Sequence, residues 1–281
     1  MRVVSFERNG AQSYGVVSGD GVVDAARRWP EFKTLRDLLA AGALERLREL
    51  ERERADFAVE HIDFLPVIPN AGKILCVGVN YLKHMQEANR PPPEIPWIFM
   101  RTNDSLVGHQ SPLIRPKVSD TFDWEVELGV IIGKPGRYIA RAEALDHIAG
   151  YTVFNDGSIR EFQRHCPLWA AGKNFYRSGA MGPWLVPRAD FGDAFDKVME
   201  SRLNGKVMQH DVVKEWHFDV QAIIEYCSQW ALLMPGDVIA MGTPSGVGFA
   251  RKPPVYMQAG DVIEVEIEGL GVLRNPVVAE A

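Results

Sequence analysis

The chain has 281 residues, of which 46% are hydrophobic and 24% are charged, and its formal net charge is −6. This composition is typical of a globular protein with one large domain or two smaller ones. Nucleic acid or an anionic membrane would favour a basic patch, and no apolar run approaches the ~20 residues that span a bilayer. We therefore expect no nucleic acid and no membrane as partners.

The N-terminal segment and the cysteines indicate a cytoplasmic protein. Residues 1–10 lack the apolar core of a signal peptide, because a charged residue follows a short apolar run. Cys76, Cys166 and Cys227 are odd in number and far apart, and they match neither a zinc spacing nor a disulfide framework. We interpret them as reduced thiols packed as small hydrophobic side chains.

Residues 1–65 predict a small N-terminal α/β domain. Asn9-Gly10 and Asp20-Gly21 lie between short apolar runs, a pattern typical of β-hairpins. Thr34 is a candidate N-cap for a short helix that Gly42 ends. Residues 43–56 alternate Arg and Glu around a narrow leucine stripe, which favours a solvated surface helix over a partner-binding one.

Residues 66–281 predict a second, larger and β-rich domain, so the expected fold class is α+β. Strand patterns outnumber helix patterns and do not alternate with them, which indicates a mainly antiparallel or mixed sheet. The clearest helix covers residues 219–233, with an Asp cap and Pro235-Gly236 as its end.

Residues 123–133 form the most informative stretch. Its side chains alternate, so that Trp124 and Val126 point one way while Glu125 and Glu127 point the other. This period predicts a half-buried strand. Same-face neighbours on a strand lie about 6.5–7 Å apart, so the two carboxylates repel unless a cation or a proton lies between them. The alternative is a solvent-facing strand that carries two acids.

A third carboxylate could complete a metal site with these two acids. Asp156 follows an apolar strand and can project from a sheet edge, although an Asp in this position is also a common helix cap. Carboxylates without His or Cys select a hard cation, Mg²⁺ or Mn²⁺, which keeps open positions for an oxygen-containing substrate. Glu125, Glu127 and Asp156 are therefore the candidate metal ligands.

Two further groups are candidates for catalysis. His84 and Glu87 are three residues apart on a predicted helical turn, so the carboxylate can orient the imidazole as a general base. Lys173 lies in a glycine-rich setting and can hold a carboxylate or an oxyanion. The alternatives are a surface His-Glu pair and a surface lysine. The turn at residues 242–246 offers backbone N–H groups to an anion but is not a P-loop.

These segments together resemble the fumarylacetoacetate hydrolase family, in order and with plausible spacing over most of residues 73–275. The matching segments are residues 77–87, 123–133, 151–161, 171–175, 233–248 and 260–271. The resemblance implies a mixed β-roll for the second domain and a homodimer. It also implies a metal at the three carboxylates, a water-activating His84–Glu87 pair on a mobile lid, and an active-site lysine at 173.

The resemblance places Thr243 against the carboxylate of a substrate, and Tyr81 and Arg160 are further candidates for binding the substrate. Two segments depart from the family pattern, at residues 157–161 and 176–181. Neither contains a candidate metal ligand, but both are candidates for lining the pocket, so they leave the substrate open.

The leading functional hypothesis is hydrolysis of a C–C bond in a 2,4-dioxo, acylpyruvate-like acid. Water activated by His84 and Glu87 would attack the distal carbonyl, and the metal would stabilise the enolate that leaves. The alternatives are a decarboxylase, hydratase or isomerase of 2-oxo acids, such as oxaloacetate or 2-oxo-enoic acids, at the same site. A non-catalytic binding protein of the same fold is a third interpretation.

Overall fold

A computed structural model gives the structure of the chain and describes residues 1–193 and 195–281. Within these ranges the chain forms strands, α-helices and short 3-10 segments. The strands are β1 (Val3–Arg8), β2 (Ala11–Ser18), β3 (Gly21–Asp24), β4 (Phe57–Ala58), β5 (Asp63–Phe64), β6 (Ile74–Gly78), β7 (Trp97–Arg101), β8 (Leu106–Val107), β9 (Leu113–Arg115), β10 (Phe122–Asp123), β11 (Val126–Ile132), β12 (Ile148–Asn155), β13 (Ser158–Ile159), β14 (Gly179–Pro187), β15 (Val198–Leu203), β16 (Lys206–Val212), β17 (Val238–Ala240), β18 (Val262–Ile267) and β19 (Gly271–Ala279).

The helices are short except for the last. They are α1 (Ala25–Arg28), α2 (Leu35–Ala40), α3 (Leu82–Glu87), α4 (Arg160–Gln163), α5 (Ala170–Lys173), α6 (Arg188–Phe191) and α7 (Val220–Trp230). The 3-10 segments are Leu44–Arg52, Val59–His61, Asn103–Ser105, Arg141–His147, Val213–Glu215 and Gly248–Ala250. None of the helices in the described part of the chain has the length and apolar character needed to cross a membrane.

A large mixed sheet organises the molecule. Its strands follow the order β4-β3-β2-β1-β14-β12-β11-β17-β6-β7, with β5 paired to β1 and β8 paired to β14. A second sheet has the order β16-β15-β18-β19-β9, and β10 pairs with β13. Most pairs are antiparallel, whereas β17–β6, β14–β8 and β19–β9 are parallel. This arrangement confirms the predicted α+β, β-rich class.

Strand β11 lies in the interior of the large sheet, between β12 and β17. The predicted alternation is confirmed, because Val126, Leu128 and Val130 pack in one hydrophobic cluster and Ile131 packs in another. The predicted half-burial is wrong, since every residue of β11 is buried. The second sheet and α7 cover one face, and the N-terminal elements reach the other.

The N-terminal residues join the same large sheet, because β1 pairs with β14 at Val3 and Leu185. Thr34 caps α2 as predicted, in a capping box with Asp37. The surface helix predicted for residues 43–56 is instead a 3-10 segment, Leu44–Arg52, that buries Leu47 and Leu50. The domain boundary after residue 65 stays a prediction.

Helix α7 starts at its predicted Asp219 cap, which accepts a hydrogen bond from the Ala222 N–H. It ends at Trp230, three residues earlier than predicted. The reason is that Leu233 is extended and exchanges two backbone hydrogen bonds with Gly136. A backbone pairing between residues far apart in the chain therefore ends the helix earlier than the local sequence pattern predicts.

Candidate active site

One cavity of about 540 Å³ collects most of the predicted site residues. Its walls come from the end of β6, helix α3, strand β7, the start of β11, the end of β12, helices α4 and α5, and the loop after β17. The predicted residues that line it are His84, Glu125, Glu127, Asp156, Arg160, Lys173 and Thr243. Glu87 and Tyr81 are not part of its lining.

The three predicted metal ligands lie together. Glu125, Glu127 and Asp156 each offer a carboxylate oxygen, and these oxygens lie within 4.8 Å of one another. The antiparallel ladder explains this, because Val126 pairs with Asn155 and brings the start of β11 beside the end of β12. The Asp156 N–H also donates to the Glu125 carbonyl at 3.0 Å. Asp156 therefore follows directly after the end of β12, as predicted, and β12 is an interior strand of the large sheet.

Cations compensate two of these carboxylates. The Lys173 ammonium donates to Glu125 at 2.7 Å and to Asp156 at 2.6 Å. The Arg160 guanidinium lies 2.6 Å from Glu125, and the Arg101 guanidinium donates to Asp156 at 2.6 Å. All of these side chains are buried, so the ion pairs act in a medium of low dielectric constant.

The third carboxylate, Glu127, lacks such compensation. Among the described residues it accepts one hydrogen bond, from the Gly242 N–H at 2.8 Å. Burial, together with the charges of Asp156 and Glu125, raises the pKa of Glu127 well above its ordinary value. Burial would also raise the pKa of Glu125, but Arg160 and Lys173 outweigh it and lower that pKa.

This imbalance fits a divalent cation. The cluster offers only carboxylate oxygens, which Mg²⁺ and Mn²⁺ prefer, and it leaves one buried carboxylate in need of a positive charge or a proton. The oxygens of Glu125 and Asp156 that already accept from Lys173, Arg160 and Arg101 keep further lone pairs for a metal. The assignment of the three residues as ligands stays a prediction that the geometry favours.

His84 and Glu87 form a pair on α3. The His84 Nδ1 lies 2.7 Å from a Glu87 carboxylate oxygen. Glu87 also accepts from the Gly246 N–H at 3.0 Å, so the carboxylate is held from the loop after β17. The His84 ring meets the edge of Phe249, with 6.3 Å between ring centroids. This arrangement fixes the imidazole in the wall of the cavity.

Lys173 and Arg160 are buried, although lysine and arginine side chains are usually exposed. Burial alone would lower the pKa of the Lys173 ammonium, but Asp156 and Glu125 outweigh it and hold the pKa above its ordinary value. Lys173 therefore stays charged, and its contacts with Glu125 and Asp156 use two of its three N–H groups. Arg160 also donates to Asp123 at 2.8 Å.

Two predicted substrate-binding residues make their contacts within the protein. The Tyr81 hydroxyl is buried and donates to the Val213 carbonyl at 2.8 Å. Since Tyr81 does not line the cavity, the geometry does not favour it as a substrate contact. The Thr243 hydroxyl lines the cavity, but it donates to the Val126 carbonyl and accepts from Gln209.

Asp123 was not predicted as a site residue. Its carboxylate nevertheless contacts both Arg160 and the loop after β17. Its carboxylate accepts from the N–H groups of Gly248 and Phe249 at 2.7 and 3.0 Å, and from Arg160. A signal was present, because Asp123 is in phase with Glu125 and Glu127 at a spacing of two. Arg101, the cation on Asp156, stands in a short strand that gave no signal of its own.

Comparison with known proteins identifies the family. Residues 73–278 match the model of the fumarylacetoacetate (FAA) hydrolase C-terminal domain. The chain belongs to the fumarylacetoacetate hydrolase family. Membership indicates an enzyme, and it confirms the family resemblance and its fold. Family members are typically dependent on a divalent metal, in agreement with the carboxylate cluster.

Two curated relatives of this family member are named oxaloacetate tautomerases. The fahd2 protein of Xenopus laevis is 37% identical over 99% of this chain and 90% of its own length. The FAHD2A protein of Bos taurus is 38% identical over 99% of this chain and 92% of its own. Both names describe mitochondrial proteins. They contradict the predicted cytoplasmic location, which is therefore wrong.

Solved structures with other names share the fold. The fumarylacetoacetate hydrolase of Exiguobacterium antarcticum is 32% identical with a TM-score of 0.84. The 5-carboxymethyl-2-hydroxymuconate delta-isomerase of Mycobacterium smegmatis is 29% identical with a TM-score of 0.78. Each comparison covers 100% of both chains. One fold in this family therefore carries hydrolase, isomerase and tautomerase names.

Proposed function

We propose that this family member is a divalent-metal-dependent tautomerase that interconverts the keto and enol forms of a 2-oxo acid, with oxaloacetate as the first substrate to test. The observation that carries the proposal is a single cavity that holds both an oriented histidine and a carboxylate cluster for a hard cation. The tautomerase names of relatives that match 99% of the chain favour this reaction over the hydrolysis expected from the sequence.

The cluster of Glu125, Glu127 and Asp156 would hold the metal, which when bound makes the carbon next to a 2-oxo group more acidic. His84 would move the proton. Because Glu87 accepts from Nδ1–H, the basic nitrogen of His84 is Nε2. Nε2 takes a proton from C3 of the keto form, and the same proton is returned to the oxygen on C2 to give the enol. No other reactant is consumed.

Lys173 and Glu87 support this transfer. The remaining N–H of Lys173 would hydrogen-bond the oxygen on C2 as negative charge develops there. Glu87 stabilises the imidazolium that forms on His84, since it is a carboxylate at 2.7 Å. Lys173 is buried and the Glu87 side chain is 21% exposed, so both interactions are stronger than they would be in water, that of Lys173 the more so.

The test follows the ultraviolet absorbance of the enol when crystalline enol-oxaloacetate is dissolved with the protein. We expect catalysed ketonisation that requires Mg²⁺ or Mn²⁺ and stops when a chelator is added. An absence of acceleration with either metal would refute the tautomerase proposal.

Hydrolysis is the second candidate, because a solved structure of the same fold is named a fumarylacetoacetate hydrolase. The same His84 nitrogen could take a proton from water. Incubation with an acylpyruvate and measurement of released pyruvate separates the reactions. Release of pyruvate without any effect on oxaloacetate would make hydrolysis the better assignment.

A further inference from the structure

The cavity has a second group of cations besides those at the carboxylate cluster. Arg90 follows helix α3, Arg164 follows α4, and both side chains line the same cavity as the three carboxylates. We call these two residues the rim arginines. Both are exposed, whereas Lys173 and Arg160 are buried.

No carboxylate in the described part of the chain neutralises the rim arginines. Lys173 and Arg160 each contact carboxylates at 2.6–2.8 Å. For the rim arginines, no carboxylate oxygen of the described residues lies within 4.0 Å of a guanidinium nitrogen. This occurs in a chain that has 37 acidic and 31 basic residues. Their charge is therefore available to an anion that enters the cavity.

Aromatic rings hold the rim arginines in position. The Arg164 guanidinium carbon lies 5.6 Å from the centroid of Phe249, and the Arg160 carbon lies 4.7 Å from the same ring. Arg90 lies 5.9 Å from Trp97 and 5.7 Å from Trp169. Ring contacts orient a guanidinium and leave its N–H groups free to bind an anion.

The rings also connect the rim to the cluster. Arg164 and Arg160 both lie over the Phe249 ring, and Arg160 in turn contacts Glu125. Arg164 is therefore linked to the carboxylate cluster through the Phe249 ring and Arg160.

We propose that Arg90 and Arg164 bind a second carboxylate of the substrate, and so select dicarboxylic 2-oxo acids over monocarboxylic ones. The inference rests on the proposed function for the position of the 2-oxo end, and it assigns the opposite end. A planar guanidinium pairs with a carboxylate through two parallel N–H···O bonds, which suits this role better than a lysine would.

The test measures binding of unreactive 2-hydroxy acids to the Mg²⁺-loaded protein by calorimetry. Malate and 2-hydroxyglutarate carry a second carboxylate, whereas lactate and 2-hydroxybutyrate do not. We expect the dicarboxylates to bind at least about tenfold more tightly. Arg90→Met and Arg164→Met should each reduce this preference by about tenfold while lactate binding stays unchanged.

Arg137 supplies the matched control. It is exposed and stacks on Tyr138 at 4.7 Å, but it does not line the cavity. Arg137→Met should leave both classes of ligand unaffected. Arg90→Lys and Arg164→Lys should restore part of the preference, because they return the charge without the planar fork.

Two results would overturn the inference: an unchanged preference in both methionine variants, or an equal loss of malate and lactate binding, which indicates a structural role. The outcome is separable from the proposed function. A preference that depends on the rim arginines without turnover of oxaloacetate refutes only the tautomerase proposal. Turnover with an unchanged preference refutes only the rim assignment.

Discussion

Glu127 differs from the two carboxylates beside it because no cationic side chain of the described residues contacts it. We predict that Glu127→Gln lowers the affinity for Mg²⁺ or Mn²⁺ by at least about tenfold. The metal-free variant should unfold at the same temperature as the parent or a higher one, because the substitution removes a buried charge that its neighbours disfavour. Calorimetric metal titration and thermal unfolding in chelator measure the two effects.

Glu49 provides the control, since it is exposed and lies outside the cavity. Glu49→Gln should change neither quantity. Unchanged metal affinity in Glu127→Gln would remove this residue from the ligand set. A large fall in the unfolding temperature of the metal-free variant would show that Glu127 has a stabilising partner.

His84 is the residue on which proton transfer depends in the proposed function. We predict that His84→Gln lowers kcat for oxaloacetate ketonisation by at least about 100-fold and leaves metal affinity within about twofold. The reason is that glutamine keeps the size and polarity of the side chain but cannot accept and return a proton. His210→Gln is the control, because His210 is exposed on β16 and pairs with Glu200. Full activity in His84→Gln would exclude His84 as the proton carrier.

At the same scale, the sequence predicted which residue types would meet but not all of their neighbours. Glu125, Glu127 and Asp156 could be selected because acids at a spacing of two, followed by an acid after a strand, are unusual on apolar strands. Tyr81 could not be excluded, because its hydrogen bond to the Val213 carbonyl joins residues far apart in the chain. Arg101 could not be selected, because its partner Asp156 is 55 residues away.

At the scale of elements, the turn after β17 contacts helix α3 through the Gly246 N–H, which donates to Glu87. Gly246 has φ +104°, and a Cβ there would lie 2.3 Å from the Met208 carbonyl oxygen. We predict that Gly246→Ala lowers kcat by about tenfold, because the turn must shift and its N–H leaves Glu87. Steady-state kinetics on oxaloacetate, with the unfolding temperature, measure the effect.

Gly260 is a matched control for that substitution. It has φ +95°, yet a Cβ there would meet nothing within 4 Å. Gly260→Ala should therefore lose stability through its backbone conformation, by about 1 kcal/mol, and keep its kcat. Equal kcat in the two variants would show that the Gly246 N–H does not hold the His84–Glu87 pair in its active position.

Strand β11 shows what the alternation of side chains in the sequence can predict and what it cannot. The alternation of Val126 and Leu128 with Glu127 and Gly129 correctly predicted two faces. It could not predict that both faces are buried, because burial depends on the second sheet and on the N-terminal elements, which the local pattern does not encode. The buried carboxylate face is what makes a metal or a proton necessary there.

The loop that leads from β8 to β9 carries a titratable group that affects stability. His109 accepts a hydrogen bond from the Arg274 N–H at 3.1 Å and meets the edge of Phe64. Burial, with a smaller effect of Arg274, lowers the pKa of His109 from 6.5 to about 4. The unfolded chain therefore takes up a proton at a higher pH than the folded chain does.

Stability should consequently fall as the pH falls from 6.5 towards 4, the interval between the two pKa values of His109. We predict that the unfolding temperature drops by about 2–4 °C more in the parent than in His109→Asn when the pH is lowered from about 7 to about 5. Asparagine keeps an acceptor for the Arg274 N–H but does not titrate. Equal drops would show that His109 does not contribute.

At the scale of the whole molecule, the two segments separated in the sequence share one sheet. Strand β1 pairs with β14, and one hydrophobic cluster includes Leu38 from the N-terminal segment with Ile131 and Leu185 from the larger one. The sequence could suggest a boundary near residue 65 from composition and prolines. It could not predict the β1–β14 pairing, because Val3 and Leu185 are joined only by the tertiary fold.

This shared core predicts that the protein unfolds as one unit. Leu38 is fully buried, so Leu38→Ala should cost about 2–5 kcal/mol. We expect calorimetry to give a single transition for the parent and for the variant, shifted to lower temperature in the variant. The unfolding midpoint measured by near-ultraviolet circular dichroism, to which the buried Trp124 contributes, should shift by the same amount.

The matched control is Leu82→Ala. Because Leu82 is 48% exposed, this substitution should change neither the calorimetric nor the dichroism midpoint. Two transitions, or a Leu38→Ala effect that leaves the dichroism midpoint in place, would show that residues 1–65 unfold independently of the catalytic segment.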